Sequence, residues 1–237
     1  MPIEKSWTPL STLHNLSVII PWSPYSSLRR VKILNWILSR YECQMPEVEV
    51  VMGKHCADGA FFNRSLARNN GVNRSSRDIL LIADGDTIPE RETIEMAIDK
   101  LTEAPWVIPY ADDQYYNINI ESSDKILAGN PCVSIGSFGW DHKLMSWAGL
   151  LLIKTDDFHK IGGYDERFVG WGWEDLAFRV TADNVLGKYH RSPGRALHLW
   201  HERDDALFGT SEELANRTLF DKEYRRKYNW IDERIKR

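Results

Sequence analysis

The stretch Asp78–Pro89, DILLIADGDTIP, decides how this chain folds. Ile79–Ala83 is an unbroken apolar run, too apolar for a strand with one wet face, so it reads as a strand buried on both sides. Its carboxyl end runs straight into Asp84-Gly85-Asp86. In open α/β sheets the ligand crevice lies outside the carboxyl ends of the strands. A turn at Gly85 would point both carboxylates into that crevice, where they could hold a divalent cation. A solvated Asp-Gly turn would use the same residues, so the choice rests on the rest of the chain.

Upstream, Leu16–Pro21 (LSVIIP) is a second buried strand. Ser26 or Ser27 can cap a helix whose Leu28, Val31, Leu34, Leu38 and Tyr41 recur at helical spacing, and Glu47–Met52 is the next strand. A helix from Phe61 to about Asn70 then leads into the central stretch. Downstream, Pro89, Glu90 and Glu92 open a helix that runs to about Leu101, and Trp106–Tyr110 is a strand. Gly149–Lys154 and Arg195–Trp200 are further strands. Glu174 to about Leu186 is a helix closed by Gly187, and Ser211 to about Arg226 is a C-terminal helix. Between them, Ala111–Met145 loses its periodicity and is expected to form acceptor-side loops. The pattern specifies an α/β fold: one Rossmann-like domain, a mostly parallel twisted sheet flanked by helices, with no linker to divide it.

Composition narrows the function classes. The 237 residues are 43% hydrophobic and 27% charged, and the net charge of -4 comes from 34 acidic and 30 basic residues spread along the chain. No large field favours nucleic acid or an anionic membrane. The locally basic Lys222–Arg237 reads as a solvated helix face. Cys43, Cys56 and Cys132 are odd in number and show no close pairing, which predicts free thiols in a reducing compartment. Met1–Leu16 lacks the apolar core of a signal peptide, and no run approaches the roughly 20 apolar residues of a membrane span. A cytoplasmic protein is expected. The glycosylation sequons at Asn63, Asn73 and Asn216 are then chance matches.

Two further constellations keep company with the aspartates. Gly170-Trp171-Gly172-Trp173-Glu174-Asp175 sets two indoles beside two carboxylates at a helix start. Indole faces stack on the C–H side of sugars, and carboxylates accept from sugar hydroxyls. Helix capping with core tryptophans is the alternative, and it leaves the G-W-G-W run unexplained. His198-Leu199-Trp200-His201 could bring imidazole to the same metal. Residues three apart on a strand face opposite sides, so both histidines can reach one ion only if the chain leaves extended geometry near Trp200.

With these residues in view, Leu16 to Asp204 resembles the β-1,4-galactosyltransferases and their relatives, the chondroitin-polymerising enzymes and polypeptide N-acetylgalactosaminyltransferases. Phe62-Asn63-Arg64, Asn69, Gly71 and Asp84-Gly85-Asp86 with Ile88-Pro89 follow the family's F-N-R and D-x-D-x-I-P order. Ala148-Gly149, Gly162-Gly163 and Trp171–Asp175 follow its W-G-W-G-G-E-D region. His198–Asp204 is similar to its M-x-x-H metal stretch, with His198 in the methionine position. The resemblance implies a GT-A fold and an inverting, metal-dependent transfer of a hexose or N-acetylhexosamine from a nucleoside diphosphate sugar, with UDP as the expected carrier. Asp86, His201 and His198 would hold Mn²⁺ or Mg²⁺. Asp84 would lie near the ribose, and Pro21, Trp22, Phe62 and Arg64 would lie around the uridine. Asp175 falls on the family's base, with Glu174 orienting the acceptor, and Trp171 falls on a loop that closes over the donor.

Residues 1–110 would then be the nucleotide-sugar half, 111–210 the acceptor, metal and base half, and 211–237 a helical tail. Two positions depart from the family pattern. Trp173 replaces a glycine, and Ser146 stands where galactosyl enzymes carry a bulky residue that limits the donor's 2-substituent. The missing membrane anchor suggests a bacterial or phage origin. The acceptor stays open among a glycan, a protein and a modified nucleic-acid base. A sugar nucleotidyltransferase would want a Gly-rich phosphate loop, and Pro21–Tyr25 is not one. A glycan-binding module without catalysis is the remaining alternative, against which both carboxylate pairs speak.

Overall fold

A computed structural model describes residues 13–55, 61–144, 146–202 and 209–227. Cys56, Asp204 and the 228–237 part of the basic stretch lie outside the described residues.

Strand β1 (Leu16–Trp22) leads through helix α1 (Leu28–Gln44) to β2 (Glu49–Lys54), and α2 (Arg64–Val72) leads to β3 (Ile79–Ala83). After β4 (Thr87–Ile88) come α3 (Arg91–Lys100), β5 (Trp106–Ile108), β6 (Tyr115–Ile118), α4 (Ile120–Ala128) and β7 (Trp140–Leu144). Then follow β8 (Leu150–Lys154), α5 (Thr155–Lys160), α6 (Glu174–Val185), β9 (His190–Arg191), β10 (Ala196–His198) and α7 (Ser211–Glu223).

The main sheet has the order β2-β1-β3-β8-β5-β9. β1 is parallel to β2 and β3, β5 is parallel to β9, and β8 alone runs against its neighbours β3 and β5. The expected mostly parallel sheet is therefore present. The apolar runs that announced β1, β3 and β8 fill its centre: Leu16, Ile19, Ile20, Leu80, Leu152 and Ile153 are fully buried. Glycine sets how closely α2 lies on this sheet. A Cβ at Gly71 would strike the Ile19 side chain, and one at Gly53 would strike the Ala67 carbonyl.

Two expectations are corrected. The segment Ala111–Met145 is not a set of loops, because β6, α4 and β7 lie within it. Arg195–Trp200 does not extend the main sheet either: β10 joins a second sheet of order β4-β10-β6-β7. Its strands are only two to five residues long, too short to show a period. This small sheet covers the carboxyl end of β3 and brings His198 level with Thr87.

The free-thiol expectation is also overturned for Cys43 and Cys132. Cys43, near the end of α1, is disulfide-bonded to Cys132 across 89 residues, with the Cα atoms 5.3 Å apart. The bond ties α1 to the loop after α4, where Arg40 donates to the carbonyls of Pro131 and Val133. Such bonds persist in oxidising compartments, which removes the free-thiol argument for a cytoplasmic location. Among the described residues, no helix is long and apolar enough to cross a membrane. Asn63 and Asn216 are buried, which removes two of the three sequons from the surface.

Candidate metal and transfer site

The turn after β3 is fixed from both sides. Asp84 N–H donates to the Gly149 carbonyl at 2.9 Å, just before β8, and Leu199 N–H donates to the Asp86 carbonyl at 2.9 Å, just after β10. Gly85 fits under Ile20 and Leu34, each 3.3 Å from where a Cβ would stand. The two aspartates consequently diverge from a small turn, each toward its own set of partners.

Asp86 meets the histidines. His201 Nε2 lies 3.2 Å from one carboxylate oxygen and His198 Nε2 3.6 Å from the other. Both rings reach it because the strand ends at His198: Trp200 N–H turns to donate to Ser123 Oγ, and Arg29 Nε donates to the Trp200 carbonyl. That is the departure from extended geometry the spacing demanded. Burial would raise the Asp86 carboxyl, but the His198 and His201 imidazoles and Arg30, at 3.3 Å, hold it well below the usual carboxylate range.

The donor set suits a divalent cation. One carboxylate and two imidazole nitrogens lie within 4.8 Å of one another, and these are the only three or more grouped His, Cys, Asp or Glu ligands among the described residues. His201 Nδ1 lies 2.8 Å from the Glu202 carbonyl, which can only accept. Nδ1 therefore donates, which leaves Nε2 facing Asp86 as the nitrogen that can ligate a cation.

Asp84 turns the other way, onto a cation the sequence reading missed. Arg68 of α2 is 2% exposed and donates to Asp84 at 3.1 Å and to Asp175 at 2.8 Å. It stacks over the Tyr164 ring, 4.7 Å from its centroid. One guanidinium thus joins the D-x-D turn to the first turn of α6. Glu174, 6% exposed, lies 3.5 Å from Arg64 and 4.0 Å from Arg68. The Asp175 side chain keeps 28% of its surface open, at the edge of the cleft. Burial, with the Glu174 and Asp84 carboxylates beside it, pushes Asp175 up to about 7 against the pull of Arg68 and Arg64.

The remaining predicted residues lie mainly on β1, on the F-N-R segment and on the tryptophan loop. Trp22 ends β1, its ring 3.8 Å from where a Gly85 Cβ would stand, and Pro21 is buried just before it. The Phe62 carbonyl accepts from Gly170 N–H at 3.2 Å, which joins the F-N-R segment to the tryptophan loop. Gly170 and Gly172 take left-handed backbone, and so does Trp173 at φ 75°. Trp171 is half-buried on this loop. Ser146 accepts from Arg191 at 2.7 Å through its carbonyl. Arg68 could have been found: on α2 it sits among the buried Ser65, Ala67 and Val72, where a cation needs a carboxylate partner. Arg30 carried no such signal.

A family model described as the N-terminal domain of galactosyltransferase matches residues 133–202, which include Glu174, Asp175, His198 and His201. Among solved structures, a mutant of Drosophila β-1,4-galactosyltransferase 7 in complex with manganese, UDP-Gal and xylobiose has a TM-score of 0.56 at 15% identity, over 84% of this chain and 78% of that one. Glucosyl-3-phosphoglycerate synthase from Mycobacterium tuberculosis, in complex with Mn²⁺, UDP-glucose and phosphoglyceric acid, has a TM-score of 0.55 at 14% identity, over 92% and 85%. No curated protein sequence matches. The fold is that of the GT-A glycosyltransferases, and the galactosyltransferase match covers the tryptophan loop, the start of α6 and both histidines but not the D-x-D turn.

Proposed function

We propose that this chain is an inverting glycosyltransferase that moves a hexose or N-acetylhexosamine from a UDP-sugar to an acceptor hydroxyl. The observation that carries the reading is the convergence of two carboxylate systems on one turn. Asp86 gathers two imidazoles, while Asp84, two residues away, shares Arg68 with Asp175. A glycan-binding module would have no use for that expense of buried charge. The manganese and UDP-sugars named with the two solved structures support the same ligands here.

Asp86, His198 and His201 would hold the cation, and two imidazoles suit Mn²⁺ better than Mg²⁺, which prefers oxygen. When bound, the cation neutralises charge on the departing diphosphate. Pro21, Trp22, Phe62 and Arg64 line the uridine side, with Arg64 steadied by Glu174. Asp84 takes the ribose. Trp171 covers the donor sugar, and Asp175 accepts the proton of the acceptor hydroxyl as it attacks opposite the leaving group, which inverts the anomeric carbon. A carboxylate raised to about 7 is a far better base than an ordinary one. Because Glu174 is 6% exposed, its main work is to hold Arg64 and Arg68, and orienting the acceptor falls to groups nearer the opening. The acceptor is a hydroxyl on a glycan, a protein or a modified nucleic-acid base.

A panel of UDP-hexoses and UDP-N-acetylhexosamines, assayed for UDP release with Mn²⁺ and with EDTA, tests this reading. Release from at least one donor that stops in EDTA is expected. If every donor stays intact with Mn²⁺ and UDP fails to raise the melting temperature, the proposal is wrong.

A further inference from the structure

Trp173 occupies a left-handed position that glycine fills without cost, and among the described residues it is the only non-glycine with positive φ. Something must hold it there. Its indole Nε1 donates to Glu213 Oε1 at 2.9 Å, and its ring packs 5.2 Å from Phe220; both partners lie on α7. Asn216, on the same helix and buried, spends its whole amide on the adjacent loop. Its Nδ2 reaches the carbonyls of Val169 at 2.9 Å, Trp171 at 3.2 Å and Gly172 at 3.2 Å, and its Oδ1 accepts from Val169 N–H at 3.3 Å. Phe168, Ala177, Val180 and Phe220 form a separate small core between α6 and α7.

From this geometry we propose that α7 is a clamp: Asn216, Glu213 and Trp173 are positioning residues that hold the Val169–Trp173 loop, and with it Trp171 and the Glu174–Asp175 start of α6. The inference rests on the roles given above to Trp171 and Asp175. The α7 half of the clamp, Glu213 and Asn216, lies outside residues 133–202, the part matched by the galactosyltransferase model, whereas Trp173 lies within it. Trp173 in place of glycine is its other half: the indole extends the loop to α7, and Glu213 receives it.

The test compares the full-length wild type with Asn216→Ala, Glu213→Ala and Glu213→Gln. Hydrogen exchange is followed at Val169–Trp173 and at α6, with donor kinetics and Mn²⁺ affinity measured alongside. Asn216→Ala and Glu213→Ala should speed loop exchange about tenfold or more and lower kcat/KM for the donor by a similar factor. Mn²⁺ affinity and exchange in the body of α6 should stay as in the wild type. Glu213→Gln keeps an acceptor for the indole and should restore both readouts. Unchanged loop exchange in both alanine variants would overturn the clamp. Faster exchange with unchanged kcat and KM would overturn its positioning role. A wild type that turns over no UDP-sugar would instead refute the function, and loop exchange would still decide whether α7 holds the loop.

Discussion

Replacing Arg68 by methionine removes the cation shared by Asp84 and Asp175 while keeping a side chain of comparable length. The guanidinium nitrogens lie 3.1 Å and 2.8 Å from the two carboxylates, and the side chain is 2% exposed. A charge pair about 4 Å apart at an effective dielectric of about 20 interacts by about 4 kcal/mol, equivalent to about 3 pKa units. Asp175 is 28% open and Arg64 remains nearby, so screening leaves a shift of at least about 1 unit upward. In the wild type, Asp175 is raised to about 7, so kcat/KM should climb with pH up to about 7, as the base loses its proton, and then level off. In Arg68→Met this acid limb should move to about 8 or above. The carboxylates of Asp84 and Asp175, each a little over a quarter exposed, lose their shared donor, which should also cost about 1–3 kcal/mol of stability, read from urea unfolding at neutral pH. Arg68→Lys keeps the charge but loses the planar fork whose two nitrogens each serve one carboxylate, and should fall between the wild type and Arg68→Met. An acid limb that stays near 7 in Arg68→Met would refute the idea that this cation sets the base.

Asp175→Asn should leave Mn²⁺-dependent UDP affinity intact while lowering turnover by roughly 10² or more; near-normal turnover would remove it from the role of base. Between about pH 4 and 7 the folded protein keeps a proton on Asp175 that the unfolded chain has released. This group therefore makes stability fall as pH rises through that window, and the Asn variant should lose that part of the slope in urea midpoints. Replacing Cys43 and Cys132 together by serine opens a link across 89 residues and should cost about 2–4 kcal/mol, with a fall in melting temperature of about 5–15 °C. Gly71→Ala should destabilise by more than about 1 kcal/mol, because the new methyl meets the buried Ile19 side chain.

What the sequence revealed and what it hid follow from the range of each interaction. β1, β3 and β8 were legible because a strand buried on both faces is written as consecutive apolar residues, and that is a local signal. The D-x-D turn and the helix start at Glu174 were legible for the same reason. β6 and β7 were not, since each is a few residues long and exists only because its neighbours pair with it, and although Arg195–Trp200 was legible as a strand, the second sheet that β10 joins was not. The two histidines illustrate the boundary: their spacing on a strand argued against a shared ion until Ser123 and Arg29 were seen to turn the chain after His198. The 89-residue disulfide could not be read from three unpaired cysteines. Arg68 was passed over beside Arg64, although its place on the buried face of α2 required a partner. Trp173 was noticed as a departure, but its meaning lay 40 residues away, at Glu213.

The central claim is a cation between Asp86, His198 and His201, on the same turn whose Asp84 shares Arg68 with Asp175. Crystals grown with Mn²⁺ and UDP, with diffraction collected at the manganese absorption edge, locate that ion directly. An anomalous peak bonded to an Asp86 oxygen and to His201 Nε2, and lost in Asp86→Ala, is the predicted result. A manganese peak elsewhere, or UDP bound in the cleft with no metal near Asp86, would contradict the account.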